Sequence, residues 1–158
     1  MLCALGEILK PGRVLDLGSG FSSYVLRSWA KATSHETTIV SVVAVSLWLD
    51  RTKQFLESQG LLNGELHTWD NFALTTPKPF DLIFHDMGSI AFRAQTLPKV
   101  LTMRTPNGVV VLDDVHKRAY RPFAMSETRR AGLEYLSATR WTKDAFGRAA
   151  ARRARSTP

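Results

Sequence analysis

The apolar positions along this chain fall into two alternating patterns. Short apolar runs bounded by glycine, proline or polar residues are typical of strands, whereas apolar residues at helical spacing are typical of amphipathic helices. The first pattern predicts strands at residues 13–17, 37–45, 64–69, 80–85 and 109–112. The second pattern predicts helices at residues 2–10, 21–31, 48–60, 90–103 and 122–136.

Local signals refine three of these elements. Pro98 lies inside the fourth predicted helix and is expected to kink or divide it. The Pro-Asn-Gly sequence at residues 106–108 predicts a turn before the fifth strand. Near the end of the chain, residues 139–143 and 147–151 have the composition of the two arms of a hairpin.

Strands that alternate with helices favour a parallel sheet with helices on both faces. We therefore predict an α/β protein: a single Rossmann-like domain with a mostly parallel seven-stranded sheet and a C-terminal antiparallel hairpin. This domain is expected to span residues 1–147, and a basic tail follows at residues 148–158. Such a sheet binds its ligand at the carboxyl ends of its strands, so the polar residues at those ends are the candidates for function.

The chain has 158 residues and a formal net charge of +7, which is unevenly distributed. Residues 1–116 include 10 basic and 11 acidic side chains, whereas residues 117–158 include 11 basic and 3 acidic ones. The basic C-terminal quarter either attracts phosphates or nucleic acid, or forms an ordinary solvated face.

Composition also bears on where the protein is expected to work. The one cysteine, Cys3, excludes an intrachain disulfide and fits a reducing cytoplasm. No apolar run approaches the ~20 residues that span a bilayer. The N-terminal segment lacks the basic leader of a signal peptide. We therefore expect a cytoplasmic protein without a membrane partner.

The first predicted strand ends in a glycine-rich loop, Asp16-Leu17-Gly18-Ser19-Gly20. Two glycines two positions apart let the backbone turn sharply and approach a ligand closely. The helix that follows offers unpaired N–H groups at its start, and Ser22 or Ser23 suits its N-cap. The carboxylate in this loop would repel a pyrophosphate but attract a sulfonium-bearing amino acid. Ser23 also stands where a dinucleotide-binding loop would have its third glycine.

Three segments carry a resemblance to a known family. Residues 14–23, Val-Leu-Asp-Leu-Gly-Ser-Gly-Phe-Ser-Ser, resemble motif I of class I S-adenosylmethionine-dependent methyltransferases. Residues 80–86 resemble the fourth-strand motif of that superfamily, and residues 106–114 resemble its fifth-strand motif. The pair Asp113-Asp114 is similar to metal-assisted O-methyltransferases of the catechol and macrolide-sugar kinds. The resemblance extends over about residues 1–145.

The resemblance implies S-adenosylmethionine as the cofactor, with its methionine part held by Asp16, Gly18 and Gly20. The complete cofactor site that it implies consists of the loop, the start of the next helix and two later residues: Asp16, Gly18, Ser19, Gly20, Phe21, Ser22, Asp70 and His85. Asp70 would accept a hydrogen bond from the adenine amine, or else it caps a local turn.

The chain departs from the family in two respects. Class I methyltransferases have an acidic residue at the end of the second strand that binds both ribose hydroxyls, and our alignment places Val43 there. The loss of two hydrogen bonds to a charged group corresponds to ~100-fold in affinity. Segments that cover the substrate in the family have no counterpart in this sequence, so a partner or a homo-oligomer is expected to complete the substrate pocket.

Three carboxylates, Asp86, Asp113 and Asp114, follow the fourth and fifth strands, which this fold places side by side. Carboxylate oxygens are ligands for Mg²⁺, which would hold an acceptor hydroxyl and lower its pKa. Alternatively, one of the paired aspartates caps the next segment or binds Lys117 or Arg118.

These observations predict a methyltransferase that transfers a methyl group to a small-molecule acceptor at a hydroxyl, with or without Mg²⁺. Its candidate catalytic residues are Asp86 and the general base His116. The alternatives are a nucleic-acid methyltransferase that uses the basic C-terminal region, and a non-catalytic domain with an impaired cofactor site. A nicotinamide-dependent enzyme is disfavoured by Ser23 and by the absent ribose acid.

Overall fold

The computed structural model describes residues 1–138 and the backbone of residues 150–153. Helices and strands alternate through the described residues, as the apolar pattern predicts. The elements are α1 (Leu2–Leu9), β1 (Arg13–Leu17), α2 (Phe21–Ala32), β2 (Thr38–Val43), α3 (Ser46–Ser58), β3 (Glu65–Thr68), α4 (Trp69–Ala73), β4 (Phe80–His85), α5 (Ile90–Thr102), β5 (Arg104–Leu112), α6 (Arg121–Arg130), β6 (Glu134–Leu136) and β7 (Ala150–Arg153).

The strands form one sheet in the order β3-β2-β1-β4-β5-β7-β6. The first five strands of this order pair in parallel, whereas β7 runs antiparallel to both β5 and β6. This arrangement confirms the predicted α/β, Rossmann-like architecture with its parallel sheet. The chain leaves β1 towards β2 on one side and returns to β4 on the other, so the switch point of the sheet lies at the carboxyl end of β1.

Both faces of the sheet are buried. Successive strand residues point to opposite faces, so Leu15 and Ile83 belong to one apolar cluster while Val14 and Leu82 belong to the other. All four side chains are fully buried. Burial on both sides explains why these strands are continuous apolar runs in the sequence rather than alternating ones.

The last predicted helix is shorter than expected. It ends at Arg130, and residues 134–136 form strand β6 instead of a further helical turn. Gly132 adopts a left-handed conformation (φ +68°) and its N–H donates to the carbonyl of Arg129, which ends the helix. The glycine therefore outweighs the helical spacing of the residues after it.

Residues 106–108 lie within β5 rather than in a turn before it. The register between β4 and β5 shifts there, because Phe80 pairs with Arg104 while Leu82 pairs with Val109. The Pro-Asn-Gly sequence is therefore accommodated as an irregularity of the strand. Helix α5 continues through Pro98 and is not divided.

The predicted hairpin arm at residues 139–143 lies outside the described residues, and so do residues 147–149 of the second arm, predicted at 147–151, whose last two residues belong to β7. Within the described part of the chain, no helix has both the length and the apolar character needed to cross a membrane.

Candidate active site

The loop between β1 and α2 is fixed by backbone hydrogen bonds to both neighbouring strands. The N–H of Gly18 donates to the carbonyl of Val42 (2.8 Å), and the N–H of Asp86 donates to the carbonyl of Leu17 (2.7 Å). Gly18 has a φ of +111°, and a Cβ atom there would lie 2.4 Å from the backbone oxygen of Asp86. Gly20 has a φ of +152°, with no atom within 4 Å of where its Cβ would be. Gly18 thus serves close backbone packing, whereas Gly20 borders open space.

Asp16 lies beneath this loop and is completely buried. Its Oδ1 accepts a hydrogen bond from the Ser22 hydroxyl (2.8 Å), and its Oδ2 accepts from the hydroxyls of Ser41 (3.0 Å) and Ser23. The expected N-cap role of Ser22 or Ser23 was wrong, because the N-cap of α2 is Gly20 and no side chain caps this helix. Both hydroxyls bind the carboxylate instead.

A buried arginine completes this network. Arg27 has no exposed surface, and its Nη1 donates to the Ser41 hydroxyl (2.7 Å). Its Nε and Nη2 donate to the carbonyls of Asn63 (2.9 Å) and Glu65 (3.3 Å). Burial raises the pKa of Asp16, while the three hydroxyls and the charge of Arg27 oppose that rise. We call Asp16, Ser41 and Arg27 the closed centre; it holds the glycine loop in place from below.

A cavity of about 490 Å³ opens above the loop. Its lining includes Gly18 and Ser19 on one side, residues 43–45 at the end of β2, and residues 86–89 after β4. Its size lies within the range typical of small-molecule sites. The cavity therefore occupies the switch point of the sheet, where an open α/β fold binds its ligand.

The wall of this cavity at the end of β2 has only apolar side chains. Val43 lines the cavity but is 2% exposed, whereas Ala44 is partly exposed and Val45 is 53% exposed. A ribose-binding acid would reach the cavity most directly from position 44. The departure from the family pattern thus extends over the whole turn from Val43 to Val45.

Six of the eight predicted cofactor residues lie outside the lining of the cavity: Asp16, Gly20, Phe21, Ser22, Asp70 and His85. Asp70 is exposed in the first turn of α4, and Phe21 is 78% exposed and stacks on Tyr24. His85 is completely buried, with its Nε2 3.0 Å from the Thr96 hydroxyl. Burial, assisted by the charge of Arg93, lowers the pKa of His85 to about 3, so its imidazole is neutral at physiological pH.

Asp86 does line the cavity, directly after β4. Its Oδ1 lies 2.5 Å from Nη2 of Arg93, and Nη1 of the same arginine donates to Oδ2 of Asp114 (2.9 Å). Burial raises the pKa of Asp86 to about 6; Arg93 opposes this rise, and the nearby carboxylates of Asp113 and Asp114 add to it. We call Asp86, Asp114 and Arg93 the open centre, because Asp86 faces the cavity.

The end of β5 completes the open centre. Asp114 has a φ of +57°, and its N–H donates to Oδ1 of Asp113 (2.7 Å). Lys117 donates to Oδ2 of Asp114 (2.7 Å), as one of the alternatives for this pair predicted. Nε2 of His116 lies 3.8 Å from Oδ1 of Asp114, and its side chain is 38% exposed. The structure therefore brings Asp86, Asp114 and His116 to one edge of the sheet.

The two predicted ligands differ in how well they suit these residues. The site has room for a small organic cofactor, because Gly20 borders open space and the cavity of about 490 Å³ is lined by Asp86. A divalent cation does not fit the aspartates as they are arranged, because the guanidinium of Arg93 already occupies the space between Asp86 and Asp114. In the part of the chain that the structure describes, no three His, Cys, Asp or Glu side chains are grouped so that they could hold a metal ion.

Sequence reasoning missed both arginines, although their positions carry a signal. Arg93 shares the buried face of α5 with Thr96, Leu97 and Val100, and Arg27 shares that of α2 with Leu26. A charged residue on the apolar face of a helix indicates a buried partner of opposite charge. Helical spacing combined with the acids at the strand ends would have identified both residues.

No protein-family model matches this sequence, and no curated protein matches it. Solved structures do match its fold. The O-methyltransferase TomG from Streptomyces achromogenes, involved in tomaymycin synthesis and solved with S-adenosylmethionine, superposes with a TM-score of 0.68 at 19% identity, over 99% of this chain and 78% of that chain. The O-methyltransferase from Bacillus cereus, solved with S-adenosylhomocysteine, gives a TM-score of 0.70 at 18% identity, over 98% and 79%.

The methyltransferase PaMTH1 from Podospora anserina, also bound to S-adenosylhomocysteine, superposes with a TM-score of 0.71 at 17% identity, over 98% of this chain and 76% of that chain. The chain therefore has the fold of class I methyltransferases. The [4+2]-cyclase SpnF has the same fold, with a TM-score of 0.63 at 20% identity, over 86% of this chain and 58% of that chain. Fold alone does not fix the reaction, so function has to be argued from the site.

Proposed function

We propose that this domain binds S-adenosylmethionine in the cavity above the glycine loop and transfers its methyl group to a hydroxyl of a small molecule. One observation carries the proposal: the cavity is bounded both by the glycine loop after β1 and by the carboxylate of Asp86 after β4. A backbone that can approach a ligand closely and an acid that can take a proton thus meet in one space.

In this proposal the loop residues Gly18, Ser19 and Gly20 lie against the methionine part of the cofactor. The bound cofactor supplies a methyl group on a sulfonium that is already activated, so the protein mainly has to align the acceptor. Asp86 adds a negative charge close to that positive centre. Asp16 and His85 are assigned to supporting roles, since both are buried beneath the cavity lining.

The walls of the cavity favour a small acceptor with apolar surface. Trp48, Met87 and Phe92 all line the cavity. Phe92 packs edge-on against Trp69 with ring centroids 6.4 Å apart, which holds this wall in place. Such a site binds mainly by apolar contact and uses a few polar groups for orientation.

Asp86 is the group we assign to removing the acceptor proton. A pKa of about 6 keeps this carboxylate ionised at neutral pH, yet makes it more basic than an ordinary aspartate. His116 is the second candidate base. It lies near Asp114 at the outer side of the open centre, where it can pass the proton to solvent.

We further expect a second copy of the chain to cover the substrate. Exposed apolar side chains lie on one side of the cavity, at the start of α3: Val45, Leu47 and Trp48 are each more than half exposed, and the first and last of them line the cavity. An apolar rim of this kind is typical of a surface that another molecule covers. The mass of the purified protein, measured by light scattering, tests this expectation.

The proposed reaction is tested by transfer of labelled methyl from S-adenosylmethionine to a panel of hydroxylated acceptors. We expect Asp86→Asn to lower kcat/KM by about 10²–10⁴-fold, because general bases contribute that much. Its affinity for S-adenosylhomocysteine should change little. Equal activity of the wild type and Asp86→Asn would show that Asp86 is not the base. If the protein binds the cofactor but transfers methyl to none of the acceptors, the result would favour a non-catalytic domain.

A further inference from the structure

The side chain of Arg93 is an unusual feature of the open centre. It extends from α5, where the neighbouring positions of the same face pack into the core, and the residue is only 8% exposed. Its two terminal nitrogens bind different strand ends: Nη2 lies 2.5 Å from Oδ1 of Asp86, and Nη1 lies 2.9 Å from Oδ2 of Asp114. Nη2 also donates to the backbone carbonyl of Gly88 (3.3 Å).

These contacts differ from those of a surface ion pair. The side chain of Asp114 is 17% exposed and that of Asp86 is 32% exposed. Without a cation between them, two carboxylates at the ends of adjacent strands would repel each other in a poorly solvated place. Lys117 reaches only Asp114, so Arg93 is the cation that both carboxylates share.

Oxygen ligands from two adjacent strand ends are the kind of arrangement in which a hard divalent cation binds. Here the guanidinium lies in that place. We propose that Arg93 substitutes for a divalent cation at the ends of β4 and β5, fixing Asp86 and Asp114 so that the site works without bound metal. The part of this inference that concerns methyl transfer rests on the proposed function; the part that concerns cation binding does not.

Arg93 acts as a positioning residue. Its contact with Oδ1 fixes the direction in which the Asp86 carboxylate faces the cavity. A guanidinium is always charged and is attached to the chain, so this positive charge needs no ion from solution. A lysine in the same place keeps the charge but not the two-pronged geometry.

The test is a titration with Mn²⁺ followed by electron paramagnetic resonance, on the whole chain without other metals. We expect wild type and Arg93→Lys to bind no Mn²⁺ at this site. Arg93→Met should bind one Mn²⁺ with a dissociation constant of about 1 mM or below. The double variant Arg93→Met/Asp114→Asn should lose that binding, and Arg129→Met, an exposed arginine of α6, should behave as wild type.

A second readout follows thermal unfolding. Arg93→Met is expected to unfold at lower temperature than the wild type and to regain part of the difference on addition of Mn²⁺ or Mg²⁺, while the wild type does not respond. The wild-type titration requires no variant, so the proposal stays testable even if Arg93→Met does not fold.

Two results would overturn the proposal. One is that the wild type binds Mn²⁺ and that Asp114→Asn abolishes this binding, which would mean that a metal ion displaces the Arg93 guanidinium. The other is that Arg93→Met folds but binds no more Mn²⁺ than the wild type. If methyl transfer is found, EDTA should leave the wild-type rate unchanged. Failure of the proposed function would be seen separately: the protein would bind no cofactor, while the Mn²⁺ titrations would still give the results expected above.

Discussion

Two acidic centres lie at the same edge of the sheet, and each contains one arginine. In the closed centre, Arg27 reaches Asp16 only through the hydroxyl of Ser41, and both charged residues are completely buried. In the open centre, Arg93 binds two carboxylates directly, and Asp86 faces a cavity. The same pair of residue types thus supports a loop in one place and presents a reactive group in the other.

The difference arises from what covers each carboxylate. The carboxylate of Asp16 accepts its hydrogen bonds from the hydroxyls of three serines and has no exposed surface, so a ligand can contact it only if the loop moves. Asp86 follows β4, where the backbone of Gly18 packs on one side and the cavity opens on the other. Position after the strand end, rather than residue type, separates the supporting acid from the reactive one.

The largest difference between the two centres is expected from the stability of Arg27→Met. Removing one partner of a buried charge pair costs about 3–5 kcal/mol, and here the carbonyls of Asn63 and Glu65 lose a donor as well. We therefore expect the free energy of unfolding, measured with urea, to fall by about that amount. The matched change at exposed Arg129 should cost less than about 0.5 kcal/mol. A loss below about 1 kcal/mol at Arg27 would mean that the closed centre contributes little to the fold.

A smaller effect is expected where the two centres meet, at the glycine loop. Gly18→Ala combines an unfavourable φ with a Cβ that would overlap the backbone of Asp86, whereas Gly20→Ala meets the unfavourable φ alone. Strain of that kind costs about 1–3 kcal/mol. We expect Gly18→Ala to lose clearly more stability than Gly20→Ala, and Gly20→Ala to lose mainly ligand affinity. Equal stability losses would contradict the packing role of Gly18.

A third effect, spread over a range of pH, concerns His85, which follows directly before Asp86 of the open centre but is completely buried. Its pKa is about 3 in the folded protein, against 6.5 as its ordinary value, so the unfolded chain takes up the proton first. The contribution of His85 to the free energy of unfolding is therefore fully present above pH 6.5. Below that pH it falls by up to about 1.4 kcal/mol per pH unit. Urea unfolding from pH 7.5 to 5 should show this slope in the wild type, and His85→Gln should reduce it. An unchanged slope in the variant would assign the pH dependence to other groups.

The sequence predicted the parallel sheet well because its strands are buried on both faces. Runs such as residues 13–17 and 80–85 match strands β1 and β4 in full. The end of α6 was missed because the spacing of apolar residues continues past Gly132, and only the left-handed glycine shows that the helix stops. Periodicity describes which face is apolar, but not where a turn interrupts it.

The sequence correctly identified the glycine loop and Asp86 as parts of the candidate site, and it identified the remaining parts less well. Motif spacing located Gly18, Ser19 and Asp86, which all line the cavity. It could not show that Arg93 enters the space between Asp86 and Asp114, because that contact depends on how α5 packs over the sheet. The Mg²⁺ site at Asp86, Asp113 and Asp114 therefore finds no support in the arrangement of these side chains.

We propose that the cavity above the glycine loop binds S-adenosylmethionine although the end of β2 offers no acid. Calorimetric titration of the wild-type chain with S-adenosylhomocysteine tests it most directly, with Ala44→Asp as the matched variant. We expect saturable binding by the wild type and tighter binding, by up to ~100-fold, when a carboxylate at position 44 can bind the ribose hydroxyls. No heat from either protein at millimolar ligand would contradict it.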